Sequence, residues 1–267
     1  MSFFFGKPKN IDNLDIPDEQ FIRTVYEERF HRTIDLDNPR TYTEKLNWCK
    51  LNDHNPALSQ FADPLTVKDY ASGLIGLEPV IPALRIYSCP EDLVFEELPK
   101  EGFEIRFTHN TDATIVRYPN EKIKKRKLIN EFNLSMGVSN YSRYREWPYK
   151  SILPKAYLQP LVLDETGNIP KCVTFFCFMG VPRAYEYEGL IDLVEADVQI
   201  PLWDIMVELA TRISTGFSQL VVEVYSLKEI VYLKDISLFY KHGFESFSQI
   251  EWDSVMGDWF VLPERNY

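Results

Sequence analysis

Residues 40–56, RTYTEKLNWCKLNDHNP, constrain local structure more tightly than any other run in the chain. Thr41 precedes Glu44 by three positions, the spacing of a capping box. In that arrangement the threonine oxygen takes an orphan N–H and the glutamate reaches back to the cap. Leu46, Trp48 and Cys49 then supply apolar faces at helical spacing. Read from the residues alone, the run is a well-capped, half-buried surface helix.

The flanking sequence extends this into a mixed architecture. Residues 18–32 place Phe21, Ile22, Val25, Tyr26 and Phe30 at helical spacing, and a third helix fits residues 65–72 with Gly73 as its stop. Residues 80–87 read as a strand that Pro82 pushes toward a sheet edge. Residues 91–98 form a short helix or turn. Residues 103–107 and 114–118 are strands flanking the polar turn 109–112, and 121–132 is a helix. Residues 139–155, rich in Tyr, Arg, Trp and Pro, read as an ordered loop. In the last third, 156–163, 173–179 and 182–187 are strands, joined by turns at Thr166-Gly167-Asn168 and Met179-Gly180. Residues 201–214 form a helix with Pro201 at its start and Ile205, Leu209 and Ile213 every four residues. Residues 220–225 and 229–238 make a hairpin-like pair, and 252–262 is short and aromatic. The order predicts an α+β fold compatible with a two-lobed cleft.

Charge and composition narrow the partners. The net charge of −11 argues against nucleic acid, whose phosphate backbone needs a positive surface. The one basic run, KIKKRK at 122–127, falls in a helical pattern with Ile123 and Leu128 turned inward, so it reads as a solvated helix face. No run approaches the roughly 20 apolar residues that span a bilayer. The first residues, MSFFFGKPKN, lack the basic start and long apolar region of a signal peptide, so the expected location is the cytoplasm. Cysteines 49, 89, 172 and 177 show no C-x-x-C pair, and histidines 31, 54, 109 and 242 are scattered, so no zinc spacing is present. Cys172 and Cys177 fall in one apolar run and are expected as buried thiols.

The capped run also resembles one family. Asn38, Pro39, Thr41, Glu44, Lys45, Leu46, Trp48, Lys50, Leu51 and Pro56 stand where the TupA-like ATP-grasp proteins of teichuronopeptide biosynthesis carry N-P-x-T-F-N-E-K-L-x-W-L-K-L-x-x-x-x-P. The resemblance persists over roughly residues 35–263. Asp63, Val67, Lys68 and Tyr70 follow the next motif, with Pro64 in place of its phosphate-binding lysine. Phe103, Ile105, Arg106 and His109 follow F-V-L-K-x-x-H, with Arg106 for the second lysine and Thr111-Asp112-Ala113 for a flexible S-G-G. Residues 145–150, REWPYK, match closely. The adenine hinge becomes Leu158-Gln159-Pro160-Leu161-Val162, and Thr174 replaces a further lysine. R-V-D-x-Y becomes Val221-Val222-Glu223-Val224-Tyr225, and G-E-x-T-F becomes Lys234-Asp235-Ile236-Ser237-Leu238.

The resemblance implies an ATP-grasp-like fold with a helical N-terminal extension at 1–62, one lobe at 63–160 and a second at 161–267. It implies ATP and Mg²⁺ as cofactors, and a small-molecule or glycan substrate. The implied activity is ATP-dependent coupling of an amine or amino acid to a sugar carboxylate, in association with polysaccharide-biosynthesis enzymes. Arg106 and His109 would be catalytic, Arg106, Gln159 and Leu161 would hold the nucleotide, and Glu223 and Asp235 would hold the metal. From the residues alone, Glu223 alternates with Val222 and Val224 as a solvent-facing strand residue does, and Asp235 reads the same way. The swapped carboxylate lengths suit a working Mg²⁺ site or drift in a disused one. The alternatives are therefore a degenerate ATP-grasp fold acting as a binding or scaffold module, or a transferase reusing the cleft.

Overall fold

The computed structural model describes residues 16–76, 78–196 and 198–264. Helices α1 (Asp18–Phe30), α2 (Tyr42–Asn52), α3 (Ala57–Ala62) and α4 (Pro64–Ile75) lead in. The capping box forms as its spacing predicts. Thr41 Oγ1 accepts from the Glu44 amide at 3.4 Å, and Glu44 Oε2 accepts from the Thr41 amide at 3.1 Å. α1 stops short of residue 32 because His31 turns left-handed, at φ 54. Gly73 does not stop α4; it lies inside that helix, and Gly76, at φ 86, ends it. The chain needs the positive φ at 76, not at 73.

The first sheet contains β1 (Arg85–Tyr87), β2 (Phe103–Phe107), β3 (Thr114–Arg117) and β4 (Ala156–Pro160), in the order β1-β4-β2-β3. β1 is much shorter than the strand expected over 80–87, and Val80 instead bridges to Leu233 of the other sheet. The helix expected over 121–132 is α5 (Lys125–Met136), which buries Leu128 and Phe132 in one core with Ile105, Phe107 and Leu158. α6 (Asn140–Tyr144) lies within the stretch expected as a loop.

The second sheet contains β5 (Cys172–Phe178), β6 (Val181–Tyr187), β7 (Leu190–Leu193), β8 (Gln219–Ser226) and β9 (Val231–Ser237). Its order is β7-β6-β5-β8-β9, and every neighbouring pair is antiparallel. α7 (Trp203–Ser214) packs on one face, with Trp203 against Phe175. Its buried stripe is Met206, Leu209, Ala210 and Ile213; Ile205, expected in the stripe, is 52% exposed.

The opposite face is covered by α2 and by α8 (Glu251–Trp259), a helix formed by the aromatic C-terminal stretch. Tyr42 sits among the rings of Phe176, Phe178, Phe247 and Phe260. Lys45 Nζ donates to the Gly257 and Phe260 carbonyls, both at 2.7 Å, and so caps the end of α8. A Cβ on Gly257 would lie 2.2 Å from the Arg40 carbonyl oxygen, so the two backbones meet there. The capped run is thus a hub of the core rather than a half-buried surface helix: Glu44, Asn47 and Lys50 are all buried. All four cysteines are free. Cys177 is buried, whereas Cys172, at the start of β5, is partly exposed. Among the described residues no helix is long and apolar enough to cross a membrane.

Candidate functional site

Strand register lays a polar row across the second sheet. Glu186 of β6 opposes Thr174 of β5, Thr174 opposes Glu223 of β8, and Glu223 opposes Asp235 of β9. Directly opposed residues of antiparallel strands share a face, so three carboxylates and a hydroxyl stand together. The pairing shifts between Glu223 and Val224, which leaves Lys234 as the extra residue of β9. A bulge of this kind re-aims a side chain that regular alternation would send to the other face. Lys234 Nζ donates to Glu223 Oε2 at 2.8 Å. Burial alone would lower the Lys234 ammonium pKa, but Glu223 and its neighbours outweigh it and raise it.

The first sheet supplies the second cation. Arg106 of β2 donates through Nη2 to Asp235 Oδ2, and through Nη1 to the Lys234 carbonyl at 3.2 Å. From α4, Lys68 donates to the Ile81 carbonyl at 2.5 Å and lies over the Tyr157 ring. Burial and the neighbouring Arg106 lower Lys68 to about 8, against the pull of Asp235 and Glu104. Pro64 opens α4 at its first turn, where proline's fixed φ and missing N–H suit the helix. Asp63 caps that turn by accepting from the Leu65 amide at 2.9 Å. Position 64 therefore contributes a helix start and no charge. A pocket of about 10 Å³ lies among Pro64, Val67, Lys68, Arg106, Tyr157 and Asp235, room for a single water.

The remaining expected site residues lie in other surroundings. His109 is buried, its Nε2 is 3.0 Å from the Met136 carbonyl at the end of α5, and its ring meets Phe107 edge-on. Burial lowers its pKa. Gln159 pairs across the first sheet with Glu104, donating to Oε2 at 2.8 Å. Leu161 follows β4, with its amide 3.4 Å from the Gly102 carbonyl.

The turn after β2 is tied down. The Thr111 amide donates to Asn140 Oδ1 at 3.1 Å, and Asn140 Nδ2 donates back to Thr111 Oγ1 at 2.8 Å. Asp112 Oδ1 lies 2.8 Å from His242 Nε2, while His242 Nδ1 lies 2.8 Å from Glu146 Oε1. The His242 ring stacks on Tyr144 at 3.6 Å. Burial would depress the imidazole, but Glu146 and Asp112 outweigh it and lift His242 to about 9. Burial likewise opposes the charge on Asp112, and His242, Tyr144 and Arg143 overcome it to hold Asp112 at about 2. His242 is therefore an imidazolium at neutral pH and donates to both carboxylates. Its backbone is left-handed, at φ 57, and Lys50 of α2 donates to its carbonyl at 2.6 Å.

Sequence reasoning missed Glu186, Lys234, Glu146 and His242 as members of this assembly. Glu186 carried a usable signal, because it shares the phase of buried Pro182 and Ala184 on β6. A carboxylate in the inward phase of a strand needs a partner. Lys234 carried none, since only the bulge turns it toward Glu223.

Holding Mg²⁺ and ATP requires free carboxylate oxygens, cations left over for phosphate, and volume. Here one oxygen each of Glu223 and Asp235 is engaged by a side-chain cation, and the pocket beside Arg106 and Asp235 admits about one water. The residues as arranged do not fit that group. Among the described residues, no three or more His, Cys, Asp or Glu side chains gather where they could hold a metal ion.

The family model described as TupA-like ATPgrasp matches residues 44–191. Three solved structures are similar. A RimK domain ATP-grasp protein from Sphaerobacter thermophilus is 12% identical, with 94% of this chain and 97% of that chain covered and a TM-score of 0.48. The ATP complex of a D-alanine–D-alanine ligase from Bacillus anthracis is 12% identical, covering 67% and 53%, with a TM-score of 0.43. The ADP complex of an N5-carboxyaminoimidazole ribonucleotide synthetase is 16% identical, covering 68% and 46%, with a TM-score of 0.44. The chain thus spans about half the length of the last two. No curated protein matches it.

Proposed function

Because the chain belongs to the TupA-like ATP-grasp family, we propose that it is a member whose nucleotide cleft is closed by its own side chains. In this reading it serves cell-surface polysaccharide biosynthesis as a non-catalytic binding module beside the enzymes of that process. One observation carries the reading: both carboxylates at the family's metal positions are held by cations of the protein. Lys234, standing where the family pattern has glycine, occupies Glu223, and Arg106 occupies Asp235. Tethered cations need no concentration to stay bound, so a divalent ion must displace them from a partly buried setting. Pro64 contributes no phosphate contact, and Asp112, in the family's flexible lid, is tied to His242.

A second reading keeps the ATP-dependent coupling of an amine or amino acid to a sugar carboxylate. The observation favouring it is that Glu223 and Asp235 are register partners on one face, with Arg106 reaching Asp235. Glu223 and Asp235 would then hold Mg²⁺, Arg106 would contact phosphate, Gln159 and Leu161 would line the adenine hinge, and His109 would border the lid. Lys234 and Arg106 would first have to release both acids.

Thermal unfolding separates the two readings, because a ligand that binds only the native state must stabilise it. The closed-cleft reading expects no rise in melting temperature over the micromolar range of ATP with Mg²⁺. A dose-dependent rise restores the ligase reading.

A further inference from the structure

A cavity of about 250 Å³ opens at the Glu186 end of the polar row, away from the Arg106–Asp235 contact. Its walls include Glu186 of β6, Ile191 of β7, and Tyr240, Lys241, Ser246 and Phe247 of the segment between β9 and α8. The Tyr240 hydroxyl donates to Glu186 Oε2. The second oxygen of Glu186 has no hydrogen-bond partner among the described residues. Lys241 Nζ lies over the Tyr240 ring, 4.9 Å from its centroid. It forms no ion pair among the described residues and feels Glu245 only as a neighbouring charge. The cavity thus presents one uncommitted carboxylate oxygen and one uncommitted ammonium, the first at the Tyr240 hydroxyl and the second over the Tyr240 ring.

Charge complementarity selects the ligand class. A neutral sugar answers neither charge. A uronate or other simple acid answers Lys241 and sets its own negative charge near Glu186. A simple amine answers Glu186 and repels Lys241. A zwitterion answers both, and charge-assisted hydrogen bonds to both groups are the strong ones. Ile191 and Phe247 add apolar wall for a side chain, and the volume exceeds what the charged groups alone require. We propose that this cavity binds a free α-amino acid as its zwitterion, with the ammonium on Glu186 and the carboxylate on Lys241. The cavity shares no lining residue with the pocket at Arg106 and Asp235 and its occupant requires no ATP, so the proposal stands or falls separately from the closed-cleft reading.

Ligand-observed NMR and calorimetry on the full chain, without nucleotide, test this with the common L-amino acids, each at about 10 mM, the range where a two-contact site binds. At least one should bind saturably. Its α-amide and its N-acetyl derivative should each bind about tenfold or more weakly, the usual effect of removing one charged contact. Lys241→Ala, at an exposed position, should weaken the amino acid about tenfold and should not weaken the α-amide, which loses only a repelling charge. Glu186→Gln should weaken the amino acid and should not weaken the N-acetyl derivative, which loses only a repelling charge. If no amino acid binds saturably, or if the α-amide binds as tightly as the acid, the proposal is wrong.

Discussion

Arg106 of β2 and Asp235 of β9 join the two sheets through one guanidinium–carboxylate contact, with side chains only 11% and 21% exposed. Removing one member of a buried pair leaves the other charged and desolvated. Arg106→Ala is therefore expected to lower unfolding free energy by about 3 kcal/mol, and Asp235→Asn by a similar amount. The double variant should lose clearly less than the sum, because the two share one interaction. Denaturant unfolding of the four proteins reads the coupling, and strictly additive losses would show that the contact contributes nothing.

His242 gives a pH signature. Its folded pKa of about 9 lies above the ordinary 6.5. The folded state therefore holds the proton more tightly, and the resulting stability is full below pH 6.5 and lost as pH rises through 9. Lys50, whose burial lowers it to about 7 against the pull of Glu146, acts with the opposite sign over pH 7 to 10.5. Because Lys50 and His242 share Glu146, the comparison of wild type with His242→Gln is repeated in a Lys50→Met background. The stability advantage of wild type should shrink by about 3 kcal/mol between pH 6 and 9.5. A pH-independent difference would mean that His242 is neutral between Asp112 and Glu146.

Gly257 tests the hub at α2. An alanine Cβ would meet the Arg40 carbonyl at 2.2 Å and Thr41 Cα at 2.9 Å, and both are backbone that a rotamer change does not move. Gly257→Ala should cost about 1–3 kcal/mol despite alanine's higher helix propensity. Chemical denaturation measures this, and a gain in stability would show that α8 does not press on the start of α2.

How much of this was legible in the sequence depended on range. Thr41 and Glu44 fixed a helix start three residues apart, and residues 220–225 and 229–238 read as a hairpin-like pair, which the structure forms with Glu223 opposite Asp235. These are local signals. Gly73 misled because a glycine ends a helix only where the chain needs positive φ, and that requirement falls at Gly76. Ile205 misled because the stripe of α7 is set by the sheet beneath it rather than by spacing alone. His242 and Asp112 are 130 positions apart, and Lys234 reaches Glu223 only through a bulge. Neither contact is encoded in any window of sequence.

The closure of the cleft by Lys234 and Arg106 is the central claim, and isothermal titration of the wild-type chain with ATP and Mg²⁺ tests it most directly. Charge-assisted contacts are worth roughly 1.5–3 kcal/mol each, and on the proposed reading Pro64 and Thr174 stand where two of them would be made and carry no charge to supply one. Their loss moves a micromolar site by about two to four powers of ten. No saturable heat is expected below about 0.1 mM ATP. A dissociation constant in the low micromolar range would contradict it, and would mean that Glu223 and Asp235 exchange their side-chain cations for Mg²⁺.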